Sequence, residues 1–464
     1  MSNRKGVEFP ASDPPSPERR RFIAGMAAAA AGGALLPGCG DSTSPQGGGA
    51  LPDPETSGID HIVVVMMENR SFDHFLGWVP GADGIQAGRS FTDTAGKSFS
   101  SYDLAPNYQN CQLADPDHSY DGGHTEINGG KMDDFLLTQP NGDTFPIGYY
   151  TADSLPFYQG CAANWTICDR YFSGILAPTT PNRIYMHAGQ TDRLSNTTTV
   201  STLPTIWDSM LAAGRSVGYY YVDASYTAYW GSKYRGFSKK YSMSSFAADI
   251  AAGTLADLTY IDNVGTNLHE GLGLSMDDHP YADIRDGQAF LNGVYNAIRQ
   301  GPHWASTLMI INYDEWGGFA DHVAPPFGPM TSAEAALGND GRLGCRVPCV
   351  IIGPRARRGH VEHTQLDPNS ILNMIAWRFG FAPLGARAGS TNFAQALDFS
   401  SAPNTNAPAF DVPTGPFGLL GGFCVPTGEL GVLSETLGDT AVKRRAEHEQ
   451  ELRELRELGQ RYQF

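Results

Sequence analysis

Ile62-Val63-Val64-Val65-Met66-Met67 is followed directly by Glu68-Asn69-Arg70-Ser71-Phe72-Asp73-His74-Phe75. A short apolar, β-branched run bounded by polar residues predicts a strand that is buried on both faces, as in a parallel sheet. Functional sites in open α/β sheets lie at the carboxyl ends of such strands. Glu68 and Asn69 are therefore candidate oxygen ligands, although an isolated pair of this kind is more often a charged loop after a core strand.

A second strand end repeats the arrangement. The apolar segment 306–313 ends in Asp314-Glu315, and Asp321-His322 follows a few residues later, where it offers an oriented imidazole. Two adjacent carboxylates repel each other unless a cation or protons compensate their charge. Oxygen-only ligands favour Mg²⁺, Ca²⁺ or Mn²⁺ over softer metals. Together the two strand ends predict a site for one divalent metal ion.

A candidate nucleophile lies between these segments in the stretch Thr179-Thr180-Pro181-Asn182-Arg183. The pattern predicts a helix start with Thr179 or Thr180 as the N-cap and Pro181 at the first helical position. A hydroxyl at this place faces free backbone N–H groups and the positive end of the helix dipole, which suits a phosphate or an alkoxide. A plain Thr-Pro helix cap is the alternative interpretation.

Four motifs are complete and occur in a fixed order. They are ENRSFDHxxG at 68–77, TxPNR at 179–183, DExxGxxDHVxPP at 314–326 and GxRVPxxxxxP at 344–354. In this order they resemble the phosphoesterase family that holds bacterial phosphatidylcholine-hydrolysing phospholipases C, plant non-specific phospholipases C and related acid phosphatases. The resemblance covers about residues 58–380.

The resemblance implies an alkaline-phosphatase-like α/β fold, with a mainly parallel sheet, helices on both faces and a less regular lid region. It implies Thr179 as the nucleophile, and Thr179 cannot undergo the Cys conversion that sulfatases need at this place. It also implies that one metal ion is held by Glu68, Asn69, the hydroxyl of Thr179, Asp314 and Glu315.

Histidines complete the expected chemistry. His118 stands in a DPxHS segment and His279 in a DDHP segment, both of which resemble family motifs. We expect His118 and His279 to contact the phosphate or the leaving group, and His322, beside Asp321, to share the same pocket. Arg183 would add a fixed cation. For each histidine a structural, hydrogen-bonded role is the open alternative.

The expected function is that of a phospholipase C-type phosphodiesterase acting on a phospholipid or another phosphate ester. An acid phosphatase of the same fold, acting on monoesters, is the first alternative. A lipoprotein that binds a phosphorylated ligand without turnover is an alternative of a different class.

Composition narrows the partners. The chain has 464 residues, of which 41% are hydrophobic and 17% charged, and a net charge of −17. These values fit a large globular domain. A protein this acidic is not expected to bind nucleic acid. It is also not expected to bind anionic membranes through electrostatic attraction. A membrane lipid surface is still a candidate partner if the substrate is a phospholipid.

The chain divides into four predicted regions. Residues 1–39 form a twin-arginine signal, which predicts export by the twin-arginine translocase, and they end in Leu36-Pro37-Gly38-Cys39, which resembles a lipobox with Cys39 as the lipidated residue. The protein is then periplasmic, lipid-anchored or secreted. A Gly/Ser/Pro-rich linker (40–57), a catalytic domain (58–435) and a charged C-terminal helix (436–464) follow.

Further elements follow from periodicity. Segments 216–222 and 347–352 predict strands, and 205–213, 286–299 and 368–379 predict helices. The less regular segment 223–280 is expected to cover the site as a lid. Its aromatic residues could surround a choline head group or pack ordinarily; they are Tyr226, Tyr229, Trp230 and Tyr234.

Six cysteines remain besides Cys39, and an even number in an exported protein predicts disulfides. The nearest pairs in sequence are Cys161–Cys168 and Cys345–Cys349, and the other two are Cys111 and Cys424. Six cysteines allow many pairings, so the connectivity stays open at this stage.

Overall fold

A computed structural model describes residues 50–110, 113–263, 274–418 and 434–464, with the side chains of the last segment described from residue 443 onward. The predicted signal, Cys39, Cys111 and Cys424 lie outside the described residues. The strands are β1 (His61–Met67), β2 (Ser90–Thr92), β3 (Ser98–Ser100), β4 (Tyr102–Asp103), β5 (Gly148–Tyr149), β6 (Thr166–Cys168), β7 (Val217–Tyr221), β8 (Ser238–Lys240), β9 (Leu258–Asp262), β10 (Thr307–Tyr313), β11 (Cys349–Ile352) and β12 (His360–Glu362).

Eight of these strands form the central sheet in the order β12-β6-β11-β10-β1-β9-β7-β8. Only β11 runs antiparallel to its neighbours within this sheet, and the remaining pairings are parallel. Every residue of β10 is buried, which means that both faces of the sheet are covered at its centre. The predicted α/β fold with a mainly parallel sheet is confirmed.

Helices cover the sheet, and short 3-10 turns link several elements. The helices are α1 (Phe72–Leu76), α2 (Tyr120–Glu126), α3 (Pro156–Asn164), α4 (Thr179–Ala188), α5 (Ile206–Ala212), α6 (Met243–Ala251), α7 (Ile284–Gln300), α8 (Ser332–Ala336), α9 (Pro368–Phe379) and α10 (Ser434–Arg461). The predicted helices at 205–213, 286–299 and 368–379 correspond to α5, α7 and α9. Within the described segments, no helix combines the length and the apolar character needed to cross a membrane.

The register of the central strands places the two polar strand ends together. Strand β1 pairs in parallel with β10, and Met67 lies opposite Tyr313 at the last paired position of each strand. Residues that follow these two positions therefore leave the sheet at the same edge. The expectation that both acid-bearing strand ends meet is correct.

The segment 223–280 is more regular than the sequence predicts. Its described part contributes β8 and β9 to the central sheet, and β9 lies between β1 and β7. The aromatic residues proposed for a choline cage are at most 5% exposed and belong to the main hydrophobic core. They pack in the core, and two of them, Tyr226 and Tyr229, also line the cavity beside Thr179. Strand pairing at a distance, which local sequence does not reveal, draws this segment into the core.

The cysteine pairs nearest in sequence are not disulfides. Cys161, Cys168, Cys345 and Cys349 are buried free thiols. Cys161 lies in α3. The Cys168 thiol of β6 forms a hydrogen bond, not a disulfide, with the Cys349 side chain on the neighbouring β11. Burial raises the pKa of the Cys161 thiol well above its usual range, so this residue acts as a small core side chain.

Candidate active site

The ends of β1 and β10 form the floor of the site. The Asn69 N–H donates to Asp314 Oδ1 at 3.1 Å, and the Arg70 N–H donates to the Glu315 carbonyl at 3.2 Å. Glu68, Asn69, Asp314 and Glu315 are all almost completely buried. Asn69 has a φ of 55°, a left-handed conformation that Asn tolerates better than most residues. These bonds fix one strand end against the other.

Gly317 allows the two segments to approach closely. A Cβ at this position would lie 2.3 Å from the carbonyl oxygen of Asn69, and the φ of Gly317 is 63°. The Gly317 N–H donates to Glu315 Oε2 at 2.6 Å. The other oxygen, Oε1, is buried and has no hydrogen-bond partner among the described residues. Glu315 therefore presents an unsatisfied carboxylate oxygen at the strand end.

Thr179 begins helix α4 but does not cap it. The N-cap is Pro178, no side chain caps this end, and Pro181 stands third in the helix rather than first. The prediction of Thr179 or Thr180 as the cap is therefore wrong. Because the Thr179 hydroxyl is not used for capping, it donates instead to Asn69 Oδ1 at 3.4 Å. Thr179 thus faces the strand end that carries Asn69.

Asn182 of the TxPNR motif holds the turn that precedes α4. Its Nδ2 donates to the carbonyls of Ile175 at 3.1 Å and Ala177 at 2.6 Å, and its Oδ1 accepts from the Ile175 N–H at 3.0 Å. Asn182 is 1% exposed. This clamp fixes the start of the helix and hence the position of Thr179.

Arg183 lies among carboxylates. It donates to Asp262 Oδ1 at 2.5 Å, to Glu68 Oε1 at 2.9 Å and to Asp314 Oδ2 at 3.4 Å, and it is fully buried. We expected Arg183 to add a fixed cation, and its described contacts are with the acids of the floor. Asp262 was not predicted from the sequence. It lies at the end of β9, which pairs with β1, and this position at a strand end is the feature that could have identified it.

Negative charge exceeds positive charge at the floor. Burial raises the pKa of Glu68 and of Glu315 well above the usual range, and it also raises the pKa of Asp314. One guanidinium serves several buried carboxyls here. With the unpaired Glu315 Oε1 and the Asn69 side-chain oxygen, this donor set fits a hard divalent cation.

The structure also contains two tighter groups of potential ligand atoms. Within the described ranges, atoms that lie within 4.8 Å of one another belong to Asp115, His118 and His279 in one group and to Asp73, Asp321 and His322 in the other. The carboxylates of Glu68, Asp314 and Glu315 do not form a group of this kind. The two groups and the floor carboxylates are the candidate metal-binding residues of the described segments.

His118 reaches the site, where it faces Asn69, and His279 lies beside His118. The Nδ1 atoms face backbone carbonyls, Pro116 at 2.8 Å from His118 and Pro280 at 2.9 Å from His279, and the ring centroids are 6.4 Å apart. Burial lowers the pKa of His118, but Glu315 and Asp115 outweigh it and raise the value to about 9. Burial lowers the pKa of His279 well below its ordinary value.

His322 and Asp321 are not brought to Thr179. His322 Nδ1 lies 2.6 Å from Asp73 Oδ2, and its Nε2 lies 3.0 Å from Asp83 Oδ1. Arg346 pairs with Asp321 at 3.0 Å and with Asp73 at 3.0 Å. The expected shared pocket is therefore not observed for His322. Asp73, Asp321, His322 and Arg346 form a second cluster, which already contains a guanidinium. Its residues come from the first, third and fourth motifs.

A cavity of about 30 Å³ opens above Thr179. The C-terminal helix α10, which the sequence predicted only as a charged helix at 436–464, supplies one wall. No motif marks this helix, and its buried leucine stripe was its one sequence signal. The lining residues are Glu68, His118, Thr179, Thr180, Asn196, Thr197, Thr198, Tyr226, Tyr229, His448, Glu451, Leu452, Glu454 and Leu455.

Two residues of α10 contact the site through described neighbours. The His448 ring stacks on His279 with centroids 3.9 Å apart and planes 6° from parallel. Glu451 Oε2 accepts from Asn196 Nδ2 at 2.8 Å, and Asn196 Oδ1 accepts from the Thr180 N–H at 2.8 Å. The helix is thus connected to the residue next to the candidate nucleophile.

Acids, an amide and a hydroxyl at the carboxyl edge of a mainly parallel sheet define an α/β enzyme with its site at the strand ends. The chain belongs to the Phosphoesterase family, whose sequence profile matches residues 59–382. It is a phosphoric ester hydrolase.

Curated relatives support this membership. Non-specific phospholipase C5 of Arabidopsis thaliana is 30% identical over 361 residues, which cover 68% of this chain and 67% of the relative. Phospholipase C B of Mycobacterium tuberculosis is 29% identical over 470 residues, which cover 85% of this chain and 88% of the relative. The match spans about two thirds of the plant relatives.

Similar solved structures are remote. The phosphonate monoester hydrolase of Agrobacterium radiobacter is 11% identical with a TM-score of 0.34, over 70% of this chain and 74% of that one. An alkaline phosphatase superfamily protein from Vibrio parahaemolyticus is 8% identical with a TM-score of 0.33, over 72% and 69%. At these scores the family match and the sheet topology carry the assignment.

Proposed function

We propose that the protein is a phospholipase C-type phosphodiesterase. It hydrolyses a phospholipid to diacylglycerol and a phosphorylated head group, with Thr179 as the nucleophile. The observation that supports this most directly is the Thr179 hydroxyl, which is free of capping, bonds to Asn69 and opens into a buried cavity beside Glu68. The names of the curated relatives favour the same reaction.

One divalent metal ion completes the proposed site. Glu68, Asn69, Thr179, Asp314 and Glu315 would hold it, and their oxygen donors favour Ca²⁺, Mg²⁺ or Mn²⁺. When bound, such an ion screens the charge of a phosphodiester and lowers the pKa of a nearby hydroxyl.

The chain's own groups account for the remaining chemistry. Thr179 Oγ1 releases its proton to solvent and attacks phosphorus in line with the glycerol oxygen, and the bond from phosphorus to that oxygen breaks. His118 or His279 gives the departing oxygen its proton. Water then attacks the phosphothreonine and gives a proton to the same histidine, the bond to Oγ1 breaks, and Oγ1 takes a proton from solvent. The N-terminus of α4 stabilises the anionic phosphate during both steps.

The size of the cavity favours a second candidate, an acid phosphatase acting on monoesters. A volume of about 30 Å³ holds about two water molecules. Such a space is closer to the size of a phosphate group than to that of a phospholipid. A lipid substrate therefore requires α10 to move away from the cavity.

A product assay separates these candidates. Purified protein is incubated with divalent cation and with vesicles of phosphatidylcholine or phosphatidylethanolamine, or with p-nitrophenyl phosphate. Equal amounts of diacylglycerol and phosphorylated head group are expected from the lipids. Thr179→Ala should lower the rate by about 10³-fold or more, whereas Thr179→Ser should retain activity because it keeps a hydroxyl.

Thr198→Ala is the matched control, because Thr198 also lines the cavity but makes no described contact with the strand ends. Circular dichroism and thermal melting verify that each variant folds. Hydrolysis of the monoester alone would favour the acid phosphatase, and full activity in Thr179→Ala would overturn the nucleophile assignment.

A further inference from the structure

Two of the four described cysteines lie opposite each other near one edge of the central sheet. Strands β6 and β11 pair antiparallel, with Ile167 opposite Val350. The next position of this register places Cys168, the last residue of β6, opposite Cys349, the first residue of β11. Side chains at opposite positions of an antiparallel pair leave the same face of the sheet. The two thiols therefore face each other across the strands.

The two thiols are also close enough to interact. The Cys168 thiol forms a hydrogen bond with the Cys349 side chain, and both residues are fully buried. Opposite residues of an antiparallel pair have Cα atoms about 4.5–5.5 Å apart. A disulfide joins residues whose Cα atoms are about 4.4–6.8 Å apart. The spacing of the strands thus allows the two sulfur atoms to be joined without a large movement of the backbone.

The other two described cysteines lie elsewhere in the fold. Cys161 belongs to α3, and Cys345 belongs to a separate hydrophobic cluster that contains Trp316. Within the described part of the sheet, neither of them stands opposite another cysteine. Cys168 and Cys349 are therefore the two described cysteines that strand pairing brings together.

The cysteine pair lies where the central sheet is joined by few strand contacts. Strands β6 and β11 pair at two positions, whereas β1 and β10 pair at seven. The edge strand β12 is attached to the sheet through β6. Arg346 of the second cluster donates to the carbonyl of Asp169, which directly follows Cys168, at 2.8 Å. A covalent bond at this place would hold β6 and β12 to the centre of the sheet.

We propose that Cys168 and Cys349 form a disulfide in the presence of a small-molecule disulfide oxidant, and that this bond stabilises the sheet edge made by β6 and β12. The thiol form described above is then the reduced state of the pair. This inference concerns the stability of the fold and does not depend on the proposed phosphodiesterase function.

The reaction is thiol–disulfide exchange with an oxidant such as oxidised glutathione. One cysteine thiolate attacks a sulfur atom of oxidised glutathione, whose S–S bond breaks and releases one glutathione thiolate. The second cysteine thiolate then attacks the protein sulfur of this mixed disulfide and releases the other glutathione thiolate. The two electrons and two protons that the cysteines lose are carried away by two molecules of reduced glutathione.

The folded protein should undergo this exchange slowly. Burial raises the pKa of the Cys168 thiol well above its ordinary range, and the thiolate is the form that attacks. Solvent also has no direct access to either sulfur, because both residues are fully buried. Oxidation during refolding avoids this barrier, since the thiols are exposed before the strands pair.

The test maps the disulfide in the full chain by mass spectrometry. The protein is unfolded with reductant, refolded in a mixture of reduced and oxidised glutathione, alkylated in denaturant and digested. We expect a linked peptide pair that contains Cys168 and Cys349, with Cys161 and Cys345 alkylated. The thermal unfolding midpoint of the oxidised protein should lie about 5 °C or more above that of the reduced protein, because the bond closes a long loop of the unfolded chain.

A second arm uses native protein incubated for days with oxidised glutathione, which covers the case in which refolding fails. Cys349→Ala should lose both the linked peptide and the shift of the midpoint, and Cys168→Ala should behave in the same way. Cys345→Ala is the matched buried control and should keep both.

Three results would overturn the proposal. The first is that Cys168 and Cys349 remain alkylated in both arms. The second is a link from either residue to a different cysteine. The third is a linked pair of Cys168 and Cys349 that leaves the unfolding midpoint unchanged.

Discussion

Asn69 connects the parts of the site. Its N–H donates to Asp314, its Oδ1 accepts from Thr179, and its Nδ2 lies 3.4 Å from His118 Nε2. A single residue in a left-handed conformation thus touches a candidate metal ligand, the candidate nucleophile and a candidate acid. Strained backbone of this kind often occurs at functional sites. The arrangement explains why the amide in the first motif matters as much as the acid beside it.

The proton donor can be identified by the leaving group. His118→Asn and His279→Asn are assayed on phosphatidylcholine and on p-nitrophenyl phosphocholine, whose leaving group needs no proton. The variant that lacks the acid should lose about 10²-fold in its rate on the lipid and much less in its rate on the nitrophenyl ester. An equal loss on both substrates would mean that the residue binds phosphate or supports the fold instead.

Glu315 should control the metal content. Because its Oε1 is buried without a partner, we expect Glu315→Gln to reduce bound divalent metal to about a tenth or less at micromolar free ion. Elemental analysis of the dialysed protein measures this. Glu126→Gln is a matched buried control, since Glu126 bonds to Trp316 and Thr138. Unchanged metal in Glu315→Gln would refute the ligand assignment.

At the scale of elements, local signals predicted β1, β10 and α9 well. Helix α9 spans the predicted residues 368–379, because Asp367 caps it and Gly380 ends it in a left-handed conformation. These features are encoded within a few residues. The position of β9 between β1 and β7 depends on strand pairing across the sheet, which the local sequence of 223–280 does not show.

The loop after β10 shows the same limit. Asp321 and His322 follow the metal-ligand candidates closely in sequence, but Gly317 and Gly318, both with positive φ, turn the chain in between. His322 then joins a structural cluster, whose charged members are Asp73, Asp83, Asp321 and Arg346. Proximity in sequence could not show the direction of this turn.

The second cluster should make stability depend on pH. Burial lowers the pKa of His322, but Asp73 outweighs it and raises the folded-state value. The charged imidazole therefore contributes stability below its unfolded pKa of about 6.5, and this contribution is lost as pH rises through the folded pKa. His322→Gln should cost about 1–3 kcal/mol at acidic pH and less at alkaline pH.

Chemical denaturation of both proteins at about pH 5.5 and about pH 9 measures the difference, with activity assayed where the variant is folded. A cost that does not shrink at high pH would contradict the charged cluster. A loss of activity of about 10³-fold in the folded variant would restore His322 to the catalytic group.

For the molecule as a whole, the motifs predicted that two strand ends and one helix start meet. They could do so because each of these motifs lies at the end of a regular element. They did not foretell α10, whose His448 and Glu451 reach the site from the far end of the chain. A charged amphipathic helix carries no signal for the surface on which it docks. Export by the twin-arginine route and lipidation at Cys39 concern residues outside the described ranges and stay predictions.

The stereochemical course at phosphorus tests the threonine nucleophile most directly. A phosphorothioate analogue of phosphatidylcholine with known configuration is hydrolysed in isotopically labelled water, and phosphorus NMR gives the configuration of the product. Two successive in-line displacements, first by Thr179 and then by water, each invert the centre. We predict net retention of configuration, and net inversion would contradict the proposed covalent intermediate.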